Sequence, residues 1–431
     1  MTVLKPGTSH YKAALAALNR AAEPDPRVSE TVARVIADIR ARGDDSLIDF
    51  TEKFGGPRLA ARQLRVSPAE FNDAEKQVDA KTRLAVAVAH RNVRDFAKKS
   101  LRKSWHGKNR QGAKVGERFD PFARVGIYVP GGTAPLVSTA IMTCTLATAA
   151  GVPQIVVTTP SGKNGIVNPA LLHALRIAGA TEVYKVGGAQ AVAAMAYGTQ
   201  SLPRVLKIFG PGNAYVVEAK RQCFGRVAID LLPGPSEIMV IADRTANARW
   251  IAADMLAQAE HGHGSAVLFV TDSTRKLREV EKALHVQLAL LSRQQHLREV
   301  VDRAAHLILV KNMAEAVALA NNYAPEHLAI VAANDSKLAA QIRTAGAIFL
   351  GAYSPVVAGD FVAGPSHELP TGGAGKSFPG LTVDQFQRRT SLVRLDRKSL
   401  AALLPSIRTF SEIEGLDAHG HSASIRFTPA D

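Results

Sequence analysis

Residues 124–132 read RVGIYVPGG, a short apolar run that stops at a proline and two glycines. Apolar, partly β-branched and closed by turn residues, it reads as a buried strand ending in a tight turn. Its neighbours decide what sheet it joins. A helical stretch follows through about residue 150, then PQIVVTTPS (153–161) as a strand and NPALLHALRIAGA (168–180) as a helix. Asn168 caps that helix and Pro169 stands in its first turn. EVYKVGG (182–188), AQAVAAMAYG (189–198) and RVLKIFGPGN (204–213) continue the alternation. Strands and helices that alternate over short connections build a parallel sheet covered on both faces.

A second series begins at SEIMVIAD (236–243). It continues through ARWIAADMLAQAEH (248–261), SAVLFVTD (265–272), a long charged helix, HLILVK (306–311), NMAEAVALANNY (312–323), LAIVAA (328–333) and AIFLG (347–351). The interval IDLLPGPSE (229–237) marks the crossing between the two series. Upstream, Val32, Val35, Ile36 and Ile39 recur at helical spacing, and Ser67-Pro68 reads as a cap before AEFNDAEKQV. After Gly380 the pattern turns helical, and FSEIEGLDAHGHSASIR (410–426) is too polar for a core segment.

Composition narrows the class. At 431 residues the chain is expected to hold two or three domains. Only Cys144 and Cys223 occur, which excludes a disulfide framework and a thiolate zinc site and points to a reducing cytoplasm. The N-terminus lacks the basic-then-apolar pattern of a signal peptide. The uncharged stretch from Ala134 to Gly162 is broken by Gly151-Val152-Pro153, so it reads as a buried helix and strand rather than a membrane span. The net charge is +15, densest at RNVRDFAKKSLRKSWHGKNR (91–110). No aromatic platform or nucleic-acid motif accompanies that patch, so it reads as a solvated helix face; its field would draw in an anionic dinucleotide.

Several segments carry chemistry. Gln258 and His261 are three apart and project from one helical face, which suits a metal but also suits a histidine complementing a helix dipole. Glu326 and His327 stand side by side before an apolar strand, either as two proton-transfer groups or as a solvated loop pair. Asp360 and His367 lie in a Gly-, Pro- and Ser-rich loop, expected at a strand's C-terminal end, where open α/β sheets bind ligands. GGAGKS (372–377) imitates a phosphate loop, but its first glycine would fall at Pro370 and no strand precedes it. IFGPGNAY (208–215) and YVPGGTAP (128–135) are glycine turns suited to close approach by a phosphate, or plain tight turns.

Together, GIYVPGGTAPL, VGGAQAVAA, FGPGNAYV, DLLPGPSEIMVIAD, QAEHG, YAPEHL, SPVVAGDF, SHELPTGG and EGLDAH resemble the histidinol dehydrogenase family, in order and in spacing. Pro233 stands where that family usually has alanine, and His263-Gly264 replaces a common Pro-Asp-like pair. The resemblance implies zinc-dependent, four-electron oxidation of L-histidinol to L-histidine through L-histidinal with two NAD, in the last steps of histidine biosynthesis. A rival reading keeps fold, zinc and NAD but changes the alcohol, for example to a sulfonated diol.

The resemblance also implies residue roles. Gln258, His261, Asp360 and His419 match the ligands of one Zn2+ per subunit. Glu326 and His327 match the catalytic acid–base pair. Ser236, His367 and Glu414, with Gln258, His261, His327, Asp360 and His419, match substrate contacts. Tyr128, Gln190 and Asn213 match NAD contacts. In that family the C-terminal tail completes the neighbouring site of a homodimer.

The expected fold is α/β: two similar Rossmann-like parallel-sheet domains plus a helical N-terminal segment and a helical C-terminal tail. The expected limits are 1–24 for the helical segment, 25–118 with 237–381 for the zinc and catalytic domain, 119–236 for the NAD domain and 382–431 for the dimerisation tail.

Overall fold

The computed structural model describes residues 1–8, 11–18, 25–131, 135–262 and 264–428. His263, to which the motif analysis gives no chemical part, lies outside them. Along the chain the strands are β1 (Thr2–Leu4), β2 (Trp105–Lys108), β3 (Lys114–Pro121) and β4 (Arg124–Tyr128). There follow β5 (Gln154–Thr158), β6 (Glu182–Tyr184), β7 (Lys207–Phe209) and β8 (Ala228–Ile229). Then come β9 (Glu237–Ala242), β10 (Ala266–Thr271), β11 (Ala305–Leu309), β12 (His327–Val331), β13 (Ala347–Leu350) and β14 (Gln387–Arg394). Two compact units result, one of residues 1–100 and 122–386, the other of 101–121 and 387–431.

The larger unit holds both alternating series. The five-stranded sheet runs β6-β5-β4-β7-β8, parallel throughout. The six-stranded sheet runs β1-β11-β10-β9-β12-β13 and is also parallel. In each series the first strand sits centrally, two strands extend to one side, and the chain returns to place the rest on the other. β9 and β10 are buried along their whole length, as a strand covered on both faces must be. The smaller unit contains the antiparallel sheet β14-β3-β2 and the helices Arg397–Glu414 and Asp417–Ser424.

Two expected limits differ from what is seen. Residues 1–24 were read as helical, yet Thr2–Leu4 forms β1 on the edge of the six-stranded sheet. Residues 25–118 were grouped with 237–381, but the apolar stripe Val32, Val35, Ile36 and Ile39 packs with Tyr128, Val156, Val192 and Met195 of the five-stranded sheet's lobe. A helical stripe shows that a face is buried; it does not say which of two apolar sheets covers it. Residues 114–121 pair with β14 and so join the tail.

One polar cluster around the buried Glu218 carboxylate fastens this N-terminal packing. Glu218 accepts from Arg221 at 2.7 and 2.6 Å and from Gln222 at 2.7 Å, while Gln222 also donates to Ser29 O at 2.9 Å. The Arg221 guanidinium, aided by Gln222, holds the Glu218 carboxyl at about 2, well below its usual value. A depressed carboxylate contributes stability above its unfolded pKa, near 4.5, and loses it as pH falls towards 2. Arg221 is half exposed, so solvent screening reduces the effect. Glu218→Gln is therefore expected to cost about 1 kcal/mol between pH 5 and 8 and nothing near pH 2. Urea midpoints across that range check this, and a loss independent of pH would remove the ionic account.

Candidate active site

The candidate residues of the larger unit gather where the two sheets meet end to end. A cavity of about 540 Å³ is lined by Pro130, Gly212 and Asn213 from beyond the C-terminal ends of β4 and β7. Its other wall includes Ser236, His327 and His261. Ser236 immediately precedes β9 and His327 opens β12, so this wall is the N-terminal edge of the six-stranded sheet. The expectation that ligands gather at C-terminal strand ends therefore holds for one sheet and fails for the other. Asp360 lies on the short helix Val356–Phe361, ten residues beyond β13, by which point the chain has crossed back to meet His327 at the start of β12.

Glu326 and His327 are both buried. Glu326 Oε2 accepts from Ser236 Oγ at 2.6 Å and from Glu237 N at 2.8 Å. Gln258 Nε2 in turn donates to Ser236 Oγ at 2.5 Å, which links the helix Ala248–Ala259 to the same cluster and leaves the amide oxygen as its donor atom for a cation. His327 Nδ1 lies 3.1 Å from Glu237 O. A carbonyl only accepts, so Nδ1 carries the hydrogen and Nε2 is the basic nitrogen. Nε2 is 3.4 Å from Asp360 Oδ1 and makes no hydrogen bond among the described residues. Burial opposes a charge on His327, but Glu326 and Asp360 outweigh it and raise its pKa to about 10.

His367 lines the cavity too, yet both its nitrogens are engaged within the protein. Nδ1 meets Asp360 O at 2.8 Å and Nε2 meets Thr139 Oγ1 at 3.0 Å. Desolvation lowers its pKa and favours the neutral ring. In this arrangement His367 offers a ligand its ring rather than a free nitrogen.

Glu237 is the residue that motif reading missed. Its Oε2 accepts from Tyr323 Oη at 3.0 Å, and its Oε1 from Glu326 N at 3.3 Å and Gly372 N at 3.2 Å. It thus fastens two loops, one carrying Glu326 and His327 and one following His367. The first loop contains Ala324, which at φ 54° is the one non-glycine residue with positive φ among the described residues. Such a conformation costs about 1–2 kcal/mol and persists where surrounding bonds determine it. A lone carboxylate at the mouth of the buried strand EIMVIA was the available signal.

His261 also lines the cavity and is close enough to Asp360 to help lower that carboxyl's pKa, behind burial, which opposes the shift, and His327. Among the described residues no group of three or more His, Cys, Asp or Glu side chains forms a metal cluster. The larger unit brings an amide, an imidazole and a carboxylate instead. These donors fit zinc, which accepts nitrogen and oxygen, but leave its tetrahedral shell one short. His419, on Asp417–Ser424, and Glu414, at the end of Arg397–Glu414, are exposed and belong to the smaller unit.

Tyr128, Gln190 and Asn213 line one further pocket of about 470 Å³ with Gly187, Gly188 and Lys185. Two helices begin there, at Gly188 and at Ala214, the latter capped by the Asn213 side chain at 3.1 and 3.2 Å. Helix N-termini and glycine turns present N–H groups suited to phosphate. Thr31, Thr51 and Phe54 complete the lining from the N-terminal helices, which nothing in the motifs foretold.

A family model described as histidinol dehydrogenase matches residues 18–427. The histidinol dehydrogenase of Syntrophotalea carbinolica is 42% identical over 427 residues, covering 99% of each chain. That of Bradyrhizobium diazoefficiens is 44% identical over 398 residues, covering 92% of each. The crystal structure of histidinol dehydrogenase from Elizabethkingia anophelis superposes with a TM-score of 0.94 at 34% identity, covering 99% of this chain and 98% of that one.

Proposed function

Since this chain belongs to the histidinol dehydrogenase family, we propose that it oxidises L-histidinol to L-histidine through the aldehyde, with two NAD as hydride acceptors and one Zn2+ per subunit. The observation that carries the reading is the buried Nε2 of His327, which lies 3.4 Å from Asp360 Oδ1 and has no hydrogen bond among the described residues. Its tautomer is set by the Glu237 carbonyl, which leaves a base aimed at the space where an alcohol would lie.

In the first oxidation His327 Nε2 takes the hydroxyl proton as hydride leaves the same carbon. Glu326 and Asp360 stabilise the imidazolium that forms. Glu326 and Asp360 both favour the proton on His327, and a cation at Asp360 would weaken the second of these holds. The second oxidation consumes water, and Glu326, buried beside Ser236, is the carboxylate to accept its proton. Tyr128, whose hydroxyl accepts from Gly188 N at 3.2 Å, Gln190 and Asn213 would hold the dinucleotide, with its phosphates near the two helix N-termini.

Gln258, His261 and Asp360 would hold the metal, with His419 from a second copy as fourth donor; the tail would thereby complete the partner's site in a homodimer. When bound, Zn2+ supplies a net positive centre for the neutral imidazole and amine of the substrate. Glu414 would reach the substrate from the same tail. No helix among the described residues is long and apolar enough to cross a membrane, and we place the enzyme in the cytoplasm.

The test is NADH formation from L-histidinol with and without a chelator. Activity that chelation abolishes and zinc restores is expected. His261→Ala should lose bound zinc in elemental analysis; full zinc content would remove His261 from the ligand set. Activity indifferent to complete metal removal would overturn the zinc assignment altogether.

A further inference from the structure

The turn between the two cavities is gripped by a buried ion pair that has no part in the reaction as derived. Lys220, on Ala214–Cys223, and Asp230, just past β8, are both about 1% exposed and pair through Lys220 Nζ and Asp230 Oδ1. Each also holds the backbone of a single glycine. Asp230 Oδ2 accepts from Gly210 N at 2.7 Å, and Lys220 Nζ donates to Gly210 O at 2.9 Å. The two side chains reach Gly210 from 20 and 10 positions away, so neither bond is a local turn contact.

Gly210 opens a turn that both spaces share. Pro211, Gly212 and Asn213 line the cavity of His327, and Asn213 also lines the pocket of Tyr128 and Gln190. The turn begins where β7 ends and finishes at Asn213, whose side chain caps Ala214–Cys223. Pro211 has no N–H, which leaves the turn one donor fewer with which to fix its own shape. Nor is there room for a side chain between Gly210 and the carbonyl of Tyr128, so the turn lies close against a second residue of the pocket.

Burying two charges is costly, and an apolar pair of similar size often leaves a protein equally stable or more so. Stability alone is therefore weak grounds for Lys220 and Asp230. What an apolar pair cannot supply is a donor for Gly210 O and an acceptor for Gly210 N.

We infer that Lys220 and Asp230 are positioning residues for cofactor binding. Together they fix Gly210 by its N–H and C=O, and so set where Asn213 and the start of Ala214–Cys223 meet the dinucleotide. The inference rests on the dinucleotide reading of Asn213.

The experiment measures the Kd for NAD and the melting temperature of the wild-type enzyme and three variants. Lys220→Met/Asp230→Leu buries no charge and removes both holds on Gly210. Lys220→Met/Asp230→Asn also buries no charge but keeps a side-chain oxygen for Gly210 N. Lys220→Met alone keeps that hold too, yet leaves Asp230 a lone buried charge, and should melt lowest of the set. Loss of hydrogen bonds to charged groups should raise the Kd roughly tenfold or more in the leucine variant. The two variants that keep one hold should bind at least about threefold more tightly than that, and more weakly than wild type. Affinity that follows melting temperature, rather than the number of holds left on Gly210, would make the pair structural and overturn the inference. So would a leucine variant with wild-type affinity. Should the leucine variant fail to fold, the asparagine variant decides, since it has lost the donor to Gly210 O; wild-type affinity there overturns the inference as well. Wild-type protein that binds no NAD overturns the dinucleotide reading itself, a separate result.

Discussion

His327→Asn is expected to lower kcat by roughly 10²–10⁴-fold, the usual worth of a positioned general base, with zinc content and melting behaviour close to wild type. Asparagine can place an N–H near the position of Nδ1 and keep the bond to the Glu237 carbonyl, so the start of β12 stays anchored. It has no atom where Nε2 stands, 3.4 Å from Asp360, and no basic nitrogen at all. Loss of turnover with retained metal and fold therefore isolates the proton acceptor. Turnover within about tenfold of wild type would show that some other group takes the alcohol's proton.

Gly210→Ala should be the most damaging single-methyl change in the lobe of the five-stranded sheet, at about 2–5 kcal/mol of stability, and on the proposed reading it should also abolish NAD binding. Gly210 has φ +110°, and a Cβ there would lie 2.1 Å from the Tyr128 carbonyl oxygen and 3.0 Å from Tyr128 N. Those atoms are backbone and cannot rotate away. Nor can the turn retreat, because Asp230 and Lys220 hold Gly210 by its own N–H and C=O. Gly225→Ala supplies the comparison: its φ is +95°, but nothing lies within 4 Å of the added methyl. That variant should lose only the conformational cost of about 1–2 kcal/mol. Denaturant midpoints measure both, and equal losses would mean that close approach to Tyr128 contributes nothing.

Much of the architecture was legible because it depends on local pattern. EIMVIA and AVLFVT are uninterrupted apolar runs that only a doubly covered strand explains, and β9 and β10 are buried throughout. The adjacency of Glu326 and His327 at the boundary of a strand was legible for a similar reason. Glu237 was not, although it touches Glu326, Tyr323 and Gly372. Its partners lie 86 to 135 positions away, and no spacing rule relates them. The engagement of His367 by Thr139 spans 228 positions and was equally invisible.

Hydrophobic period and turn chemistry, which act over a few residues, were enough to determine two parallel α/β series, their order along the chain and the loops that carry reactive side chains. How those series face each other was decided only in three dimensions. There the C-terminal edge of one sheet meets the N-terminal edge of the other, the helices after Asp25 choose the five-stranded sheet, and buried carboxylates find their partners. Such choices compare burial and charge between distant segments, and those energies do not exist until the chain has brought the segments together.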